Sequence, residues 1–281
     1  MQQLISQIQR LSLPLKLDSG IQIKHYDLFR GATSNIEYLR CHASILSRGS
    51  PPHPPHRHSE EEILVLLQGE VNVIIPNADT PEKLLQHRLK IGQGAYYPAG
   101  FRHTIETVSE EPARYIMFKW HGSASKVRSP QAFKIYSLFS DPAHSNNVNP
   151  IDIRTKLIFE GGTSYLNRLH CHTTELVPSA SYNAHSDKHD VAIIVFQGEL
   201  ETLGQIAKPY DIIFYKSGDM HGMSNIGEKP AFYAVLEFHG EKSGLWPGFQ
   251  NLKRIILSIL NEPESFKPRL KNFISRLRKF G

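Results

Sequence analysis

The chain is 281 residues long, 40% hydrophobic and 21% charged, which is enough for two domains with real cores and unlike disordered or fibrous composition. Its net charge of +5 does not signal nucleic-acid binding, because residues 264–281 carry six Lys or Arg against one Glu and account for all of it. Cys41 and Cys171 make neither a disulfide framework nor a paired zinc spacing, and no apolar run approaches the ~18 residues of a membrane span. With no cationic, apolar leader at the start, the expectation is a reduced cytoplasmic protein.

In chain order, residues 1–12 read as a short helix. From there to about residue 240 the sequence is short β-branched and aromatic runs broken by Gly, Pro, Asn and Asp. EILVLL, VNVIIP, GAYYPAG and ARYIMFKW come first, then VAIIVF, YDIIFY and AFYAVLEF, the habit of a sandwich or barrel. HGSASKVRSP (121–130) is small and polar, a natural linker. Helical periodicity returns only in the tail. There 249–260 aligns Leu252, Ile255, Ile256, Ile259 and Leu260, and 266–280 aligns Leu270, Phe273, Ile274 and Leu277.

The chain also repeats itself. CHASILSRGSPPHPPH (41–56) answers to CHTTELVPSASYNAH (171–185), LLQGEV (66–71) to VFQGEL (195–200), and YIMFKWHG (115–122) to YAVLEFHG (233–240). The offsets are 130, 129 and 118, so the first copy carries extra residues around PNADTPEKLLQHR (76–88). A period above a hundred residues duplicates a domain, not a solenoid unit. The expected organisation is 1–125, 126–240 and a basic amphipathic tail, 241–281.

HPPHRHSEEEILVLLQGEV (53–71) places three histidines and three glutamates at the entrance of an apolar strand. His56, His58 and Glu62 share one parity, so an unbroken strand would point all three inward. GQGAYYPAGFRH offers His103 behind a Pro-x-Gly turn as a fourth ligand. Imidazole nitrogen and carboxylate oxygen together suit a divalent transition metal. Glu60 and Glu61 read as solvated charge, and His53 is undecided between the two roles.

These two stretches resemble the two-part signature of the cupin superfamily, G-x5-H-x-H-x3-E-x6-G followed by G-x5-P-x-G-x2-H-x3-N. His56, His58, Glu62 and Gly69 fit the first part; Gly92, Pro98, Gly100 and His103 fit the second. Gly49 stands one residue too far out, and Thr107 replaces the closing Asn. The resemblance implies an RmlC-like double-stranded β-helix (jelly roll); with the repeat and the tail periodicity, the expected chain is all-β, two tandem cupin barrels followed by a helical tail. It implies His56, His58, Glu62 and His103 as metal ligands, with Fe or Mn favoured and Zn, Ni or Co as alternatives. The superfamily includes dioxygenases, decarboxylases, isomerases, lyases and non-catalytic binders, so it does not choose the reaction.

Aligned on Gly198, the second copy offers His185, Asp187 and Val191 where the first has His56, His58 and Glu62. Gly218, His221 and Asn225 remain in its second motif. The expected second barrel is degenerate, with His185, Asp187 and His221 as a weaker alternative site. Cys41 and Cys171 adjoin His42 and His172, but neighbours on a strand face opposite ways, so buried structural cysteines are expected.

Tyr96 and Arg102 are the candidate catalytic residues, Gln68, His87 and Arg88 further candidates, and an Arg with a Tyr beside a metal suits an anionic or hydroxylated small substrate. The expected function is a metal-dependent enzyme of oxygenase type, with lyase or isomerase chemistry as variants. The alternative is a non-catalytic metal- or sugar-binding protein. A homo-oligomer such as a dimer is expected, nucleic acid is not, and the tail is expected to pack on protein in preference to a membrane surface.

Overall fold

A computed structural model describes residues 2–14, 17–18, 20–49, 51, 53–139 and 153–241. The chain divides into two compact units, Met1–Lys242 and Ser243–Gly281. The expected tail helices lie outside the described residues.

The described part is all β. The N-terminal segment is no helix: β1 is the strand Gln7–Gln9. The first barrel holds β2 (Ile23–Gly31), β3 (Tyr38–Leu46), β4 (Glu61–Gln68) and β5 (Val71–Pro76). It continues with β6 (Leu84–Leu89), β7 (Gln93–Tyr97), β8 (Thr104–Thr107) and β9 (Ala113–His121). β10 (Lys134–Ser137) follows. The second barrel holds β11 (Ile153–Gly161), β12 (Arg168–Leu176), β13 (Ser181–His185), β14 (Asp190–Gln197) and β15 (Leu200–Thr202). It closes with β16 (Gln205–Ala207), β17 (Ile212–Tyr215), β18 (His221–Asn225) and β19 (Ala231–His239).

Each barrel pairs a six-stranded sheet with a smaller one. The large sheets run β10-β7-β4-β9-β3-β2 and β1-β17-β14-β19-β12-β11; the small ones run β6-β5-β8 and β13-β18-β15-β16. The duplication reaches the irregularities, since register breaks fall at Asp27/Phe29 and Leu157/Phe159, and again at Leu66/Gln68 and Val195/Gln197. The extra residues of the first copy lengthen the β5–β6 hairpin, whose counterpart β15–β16 turns at Leu203 and Gly204. The edge position beside β7 and β17 is filled differently. β10 takes it in the first barrel, whereas β1, from the far end of the chain, takes it in the second.

The two large sheets pack face to face. One parity of each strand enters a core shared by both barrels, including Cys41, Ile63, Val65, Phe118, Cys171, Ile194 and Phe238. The other parity fills each barrel's own interior, with Leu64, Leu66 and Tyr97 in the first and Val191, Ile193 and Tyr215 in the second. Strands buried on both faces read as unbroken apolar runs, which is why EILVLL and VAIIVF lack alternation.

Candidate metal centre

His56 does not lie on β4. It forms an isolated bridge with His103, each backbone N–H donating to the other's carbonyl at 3.0 Å, while the Gly100 N–H donates to the His58 carbonyl at 2.7 Å. The strand expected to run unbroken from His56 to Glu62 therefore starts only at Glu61. Glu62 points inward by strand parity. The two histidines reach the same place because their loop is stapled to the Pro-Ala-Gly turn.

The three imidazoles form a near-equilateral triangle, with centroids 5.5, 5.3 and 5.4 Å apart for His56–His58, His56–His103 and His58–His103. Their ligand nitrogens all lie within 4.8 Å of one another. The Glu62 carboxylate approaches His58 Nε2 at 3.1 Å and His103 Nε2 at 3.0 Å.

Tautomers follow from the anchors. His58 Nδ1 meets the Glu60 carbonyl at 3.2 Å and His103 Nδ1 the Phe101 carbonyl at 3.0 Å. A carbonyl only accepts, so each Nδ1 carries the proton and Nε2 keeps its lone pair in the neutral ring. Tyr97 stacks on His103 at 4.1 Å and fixes its plane. Burial, then the neighbouring histidines His53, His103 and His58, lowers the His56 pKa to about 4, so this ring is neutral near pH 7. Burial alone would raise the Glu62 carboxyl, but His103, His58 and Lys119 hold it well below the usual carboxylate range.

The donor set fits a divalent cation. His58 Nε2 and both Glu62 oxygens are buried with no well-aligned hydrogen bond among the described residues, although they stand close together. Atoms that crowd without bonding one another, each directing a lone pair at the same space, are what a transition metal orders. One cation is already there: the Lys119 ammonium contacts Glu62 from the neighbouring strand.

The cavity in front of this cluster measures about 140 Å³ and is walled by Tyr97, Tyr115, Met117, Ile105, His42 and Lys119 among others. Tyr96 and Arg102 do not line it. Tyr96, on the opposite parity from Tyr97, is buried between the barrels, and its hydroxyl donates to Glu61 at 3.0 Å. Arg102 Nε donates to the Pro55 carbonyl at 3.1 Å, fastening the histidine loop from outside. Gln68, His87 and Arg88 also lie off the cavity; Arg88 pairs with Glu70 at 2.6 Å. His53 packs edge-on against His56, with centroids 4.3 Å apart.

Glu61 is not solvated charge. It is 0% exposed and accepts from Tyr96, from Trp120 Nε1 at 2.8 Å, from Thr163 Oγ1 at 2.6 Å and from the Ser164 N–H at 2.8 Å. Its parity, opposite to that of Glu62, sends it into the shared core. Sequence reasoning also missed His42 and Lys119. The available signal was their inward parity on β3 and β9, with Lys119 directly across from Glu62. Both cysteines are buried and face the shared core, away from His42 and His172.

The second barrel keeps the plan without the strand carboxylate. His185 pairs across to His221, and Asp187 Oδ2 lies 3.8 Å from His185 Nε2 and 3.4 Å from His221 Nε2. Nδ1 of each histidine is again tied to a carbonyl, Asn183 at 2.9 Å and Asp219 at 3.0 Å, and Tyr215 stacks on His221 as Tyr97 does on His103. Val191 occupies the place of Glu62, and a cavity of about 190 Å³ opens behind it, lined by Tyr182, Tyr233, Met223, His172 and Glu237 among others.

Comparison with known proteins agrees with this architecture. Residues 45–119 match the family model of the cupin domain. Among solved structures, a putative glyoxylate-induced protein from Pseudomonas aeruginosa superposes with a TM-score of 0.62 at 10% identity, over 80% of this chain and 84% of its own. AerE from Microcystis aeruginosa gives 0.57 at 12%, over 83% and 97%. An oxalate decarboxylase of B. subtilis gives 0.51 at 14%, over 86% and 85%. No curated protein matches the chain by sequence. Likeness at these identities speaks for fold alone: residues 45–119 match the cupin domain, and the chain shares its two-barrel fold with these structures.

Proposed function

We propose that the protein is a metal-dependent enzyme acting on a small anionic organic molecule at the mouth of its first barrel, with His56, His58, Glu62 and His103 as the ligands. The observation that carries the reading is the convergence of three imidazoles on one space, with the buried Glu62 carboxylate beside two of them. A divalent transition metal bound there supplies Lewis acidity and open coordination positions for oxygen-donor substrates or O2. A donor set of imidazole nitrogen and carboxylate oxygen, with no thiolate, suits Fe or Mn, with Zn, Ni or Co as alternatives.

The chain's own residues supply the rest. The carbonyl-anchored rings present Nε2 without reorganisation, and stacked Tyr97 keeps His103 from turning. Lys119 is the cation that would attract and orient a substrate carboxylate, and the cavity suits a molecule of few heavy atoms. Met117 and Ile105 are apolar patches in a wall that is otherwise largely polar, with His25, His42, His53 and Thr104 also facing the cavity. One of the similar structures is named as an oxalate decarboxylase, and a carboxylate substrate for this chain accords with that.

A second reading has its own observation: Lys119 already compensates the Glu62 charge, as it would in a non-catalytic module that binds a small anion. Metal analysis of the purified protein, with O2 uptake and CO2 release measured over a panel of small mono- and dicarboxylates, separates the two. About one transition-metal ion per chain lost in a His56→Ala/His103→Ala variant, with turnover of a panel member, supports the enzyme. Protein that neither carries nor takes up metal sinks it.

A further inference from the structure

The second barrel has not simply lost its carboxylate; a carboxylate stands one strand away. In the first barrel Glu62 on β4 faces Lys119 on β9. In the second, Val191 on β14 faces Glu237 on β19. The basic residues at this mouth change with it. Arg40 and Lys119 of the first barrel correspond to His170 and Glu237, while His121 corresponds to His239. Neighbouring strands lie only ~4.8 Å apart, so exchanging a carboxylate across one pair moves a ligand site sideways along the rim without abolishing it.

Glu237 has gathered histidines around it. His239 Nε2 lies 2.7 Å and His189 Nε2 3.3 Å from the same oxygen, Oε2, and the two rings stack at 3.8 Å. Ligand atoms of His189, Glu237 and His239 all fall within 4.8 Å of one another, and the three side chains are only 16–21% exposed. Ligands placed tetrahedrally at about 2.1 Å from zinc stand roughly 3.4 Å apart, close to the His189 separation.

His239 Nε2 is shared between an acceptor and a donor. Its Nε2 faces the Glu237 oxygen, an acceptor, and also the Arg168 guanidinium nitrogen at 2.9 Å, which can only donate. A proton on Nε2 would confront Arg168; a lone pair there would confront the carboxylate. Arg168 also lies 3.4 Å from Glu237 Oε2, so its guanidinium is the cation that now bridges the two and holds the place a metal would take. Arg168 is 45% exposed and already within 3.5 Å of Glu160, so it has somewhere to go.

We propose that the second barrel binds a divalent transition metal of zinc type through His189, Glu237 and His239, displaced from the His185, Asp187 and His221 position that the repeat predicts. The exchange of Val191 and Glu237 for Glu62 and Lys119 makes this site a property of the second copy alone.

The test uses the full chain with the first barrel disabled by His56→Ala/His103→Ala, so that its result is independent of the proposed activity. Zinc is titrated into the chelator-stripped protein by calorimetry, and the zinc-induced rise in melting temperature is recorded. One zinc per chain is expected, with affinity falling at least tenfold in Glu237→Gln and again in His239→Ala, while His185→Ala/His221→Ala leaves it unchanged. The melting temperature without zinc, measured for every variant, separates a lost ligand from a lost fold, and His189→Ala stands in if His239→Ala unfolds. No zinc binding, or binding lost with His221 but indifferent to Glu237 and His239, overturns the proposal.

Discussion

Thr163 of the second barrel donates its hydroxyl at 2.6 Å to Glu61, the buried carboxylate of the first. The relation is returned: Thr33 of the first barrel donates at 2.5 Å to Asp190 of the second. Each threonine hydroxyl also accepts two backbone N–H groups of its own turn, from Asn35 and Ile36 in one case and Tyr165 and Leu166 in the other. The two copies are thus clasped reciprocally by residues that belong to the repeat.

Removing the clasp should cost more than removing a surface charge. Glu61→Ala would strand four donors in a core, and each unsatisfied group costs ~1–3 kcal/mol. The variant should lose at least about 4 kcal/mol in urea unfolding, and Thr163→Val less. A loss under ~1 kcal/mol for Glu61→Ala would show that the carboxylate is not structural.

Glu62→Gln tests the proposed ligand role next door. The amide keeps the volume and removes the charge, so metal content should fall at least tenfold, the lower end for perturbing even an outer partner of a ligand. Unfolding should move little by comparison with Glu61→Ala. Adjacent glutamates of opposite parity would then separate metal retention from stability.

His42 predicts acid sensitivity. Burial, then the field of Arg40, His25 and Lys119, lowers its pKa from 6.5 to about 3. Between those values the unfolded chain holds a proton that the folded chain does not. This contribution to stability is therefore present above about pH 6.5 and is lost as pH falls toward 3, by at most ~1.4 kcal/mol per pH unit. In metal-stripped protein, His42→Gln should flatten the stability curve between pH 6.5 and 4. An unchanged slope would assign the acid sensitivity elsewhere.

The hairpin glycines should differ in tolerance. Gly69 and Gly198 both turn at positive φ, +79° and +85°. An added Cβ at Gly69 would meet the Ser109 hydroxyl at 2.8 Å and Ala113 Cα at 3.0 Å, and the Ser109 side chain can rotate away. At Gly198 it would meet Ala231 Cα at 2.6 Å, which is backbone on β19. Gly69→Ala should lose ~1–3 kcal/mol, and Gly198→Ala more, read as a larger drop in melting temperature.

The sequence by itself determined the β class, the duplication and the grouping of His56, His58, Glu62 and His103. Those signals are local: runs of strand formers, turn residues at positive φ, and histidines at fixed spacing around them. Tertiary structure decided everything that crosses between strands or barrels. Parity sent Glu61 to the far side of β4, where the donors waiting for it lie 35 to 103 residues later. The N-terminal segment, whose short pattern reads equally well as a helix turn, became strand β1 because an open edge of the second barrel was available to pair with it. Lys119 beside Glu62 and His189 beside Glu237 are likewise partnerships between strands or their ends, and one-dimensional spacing carries no record of which strand lies opposite.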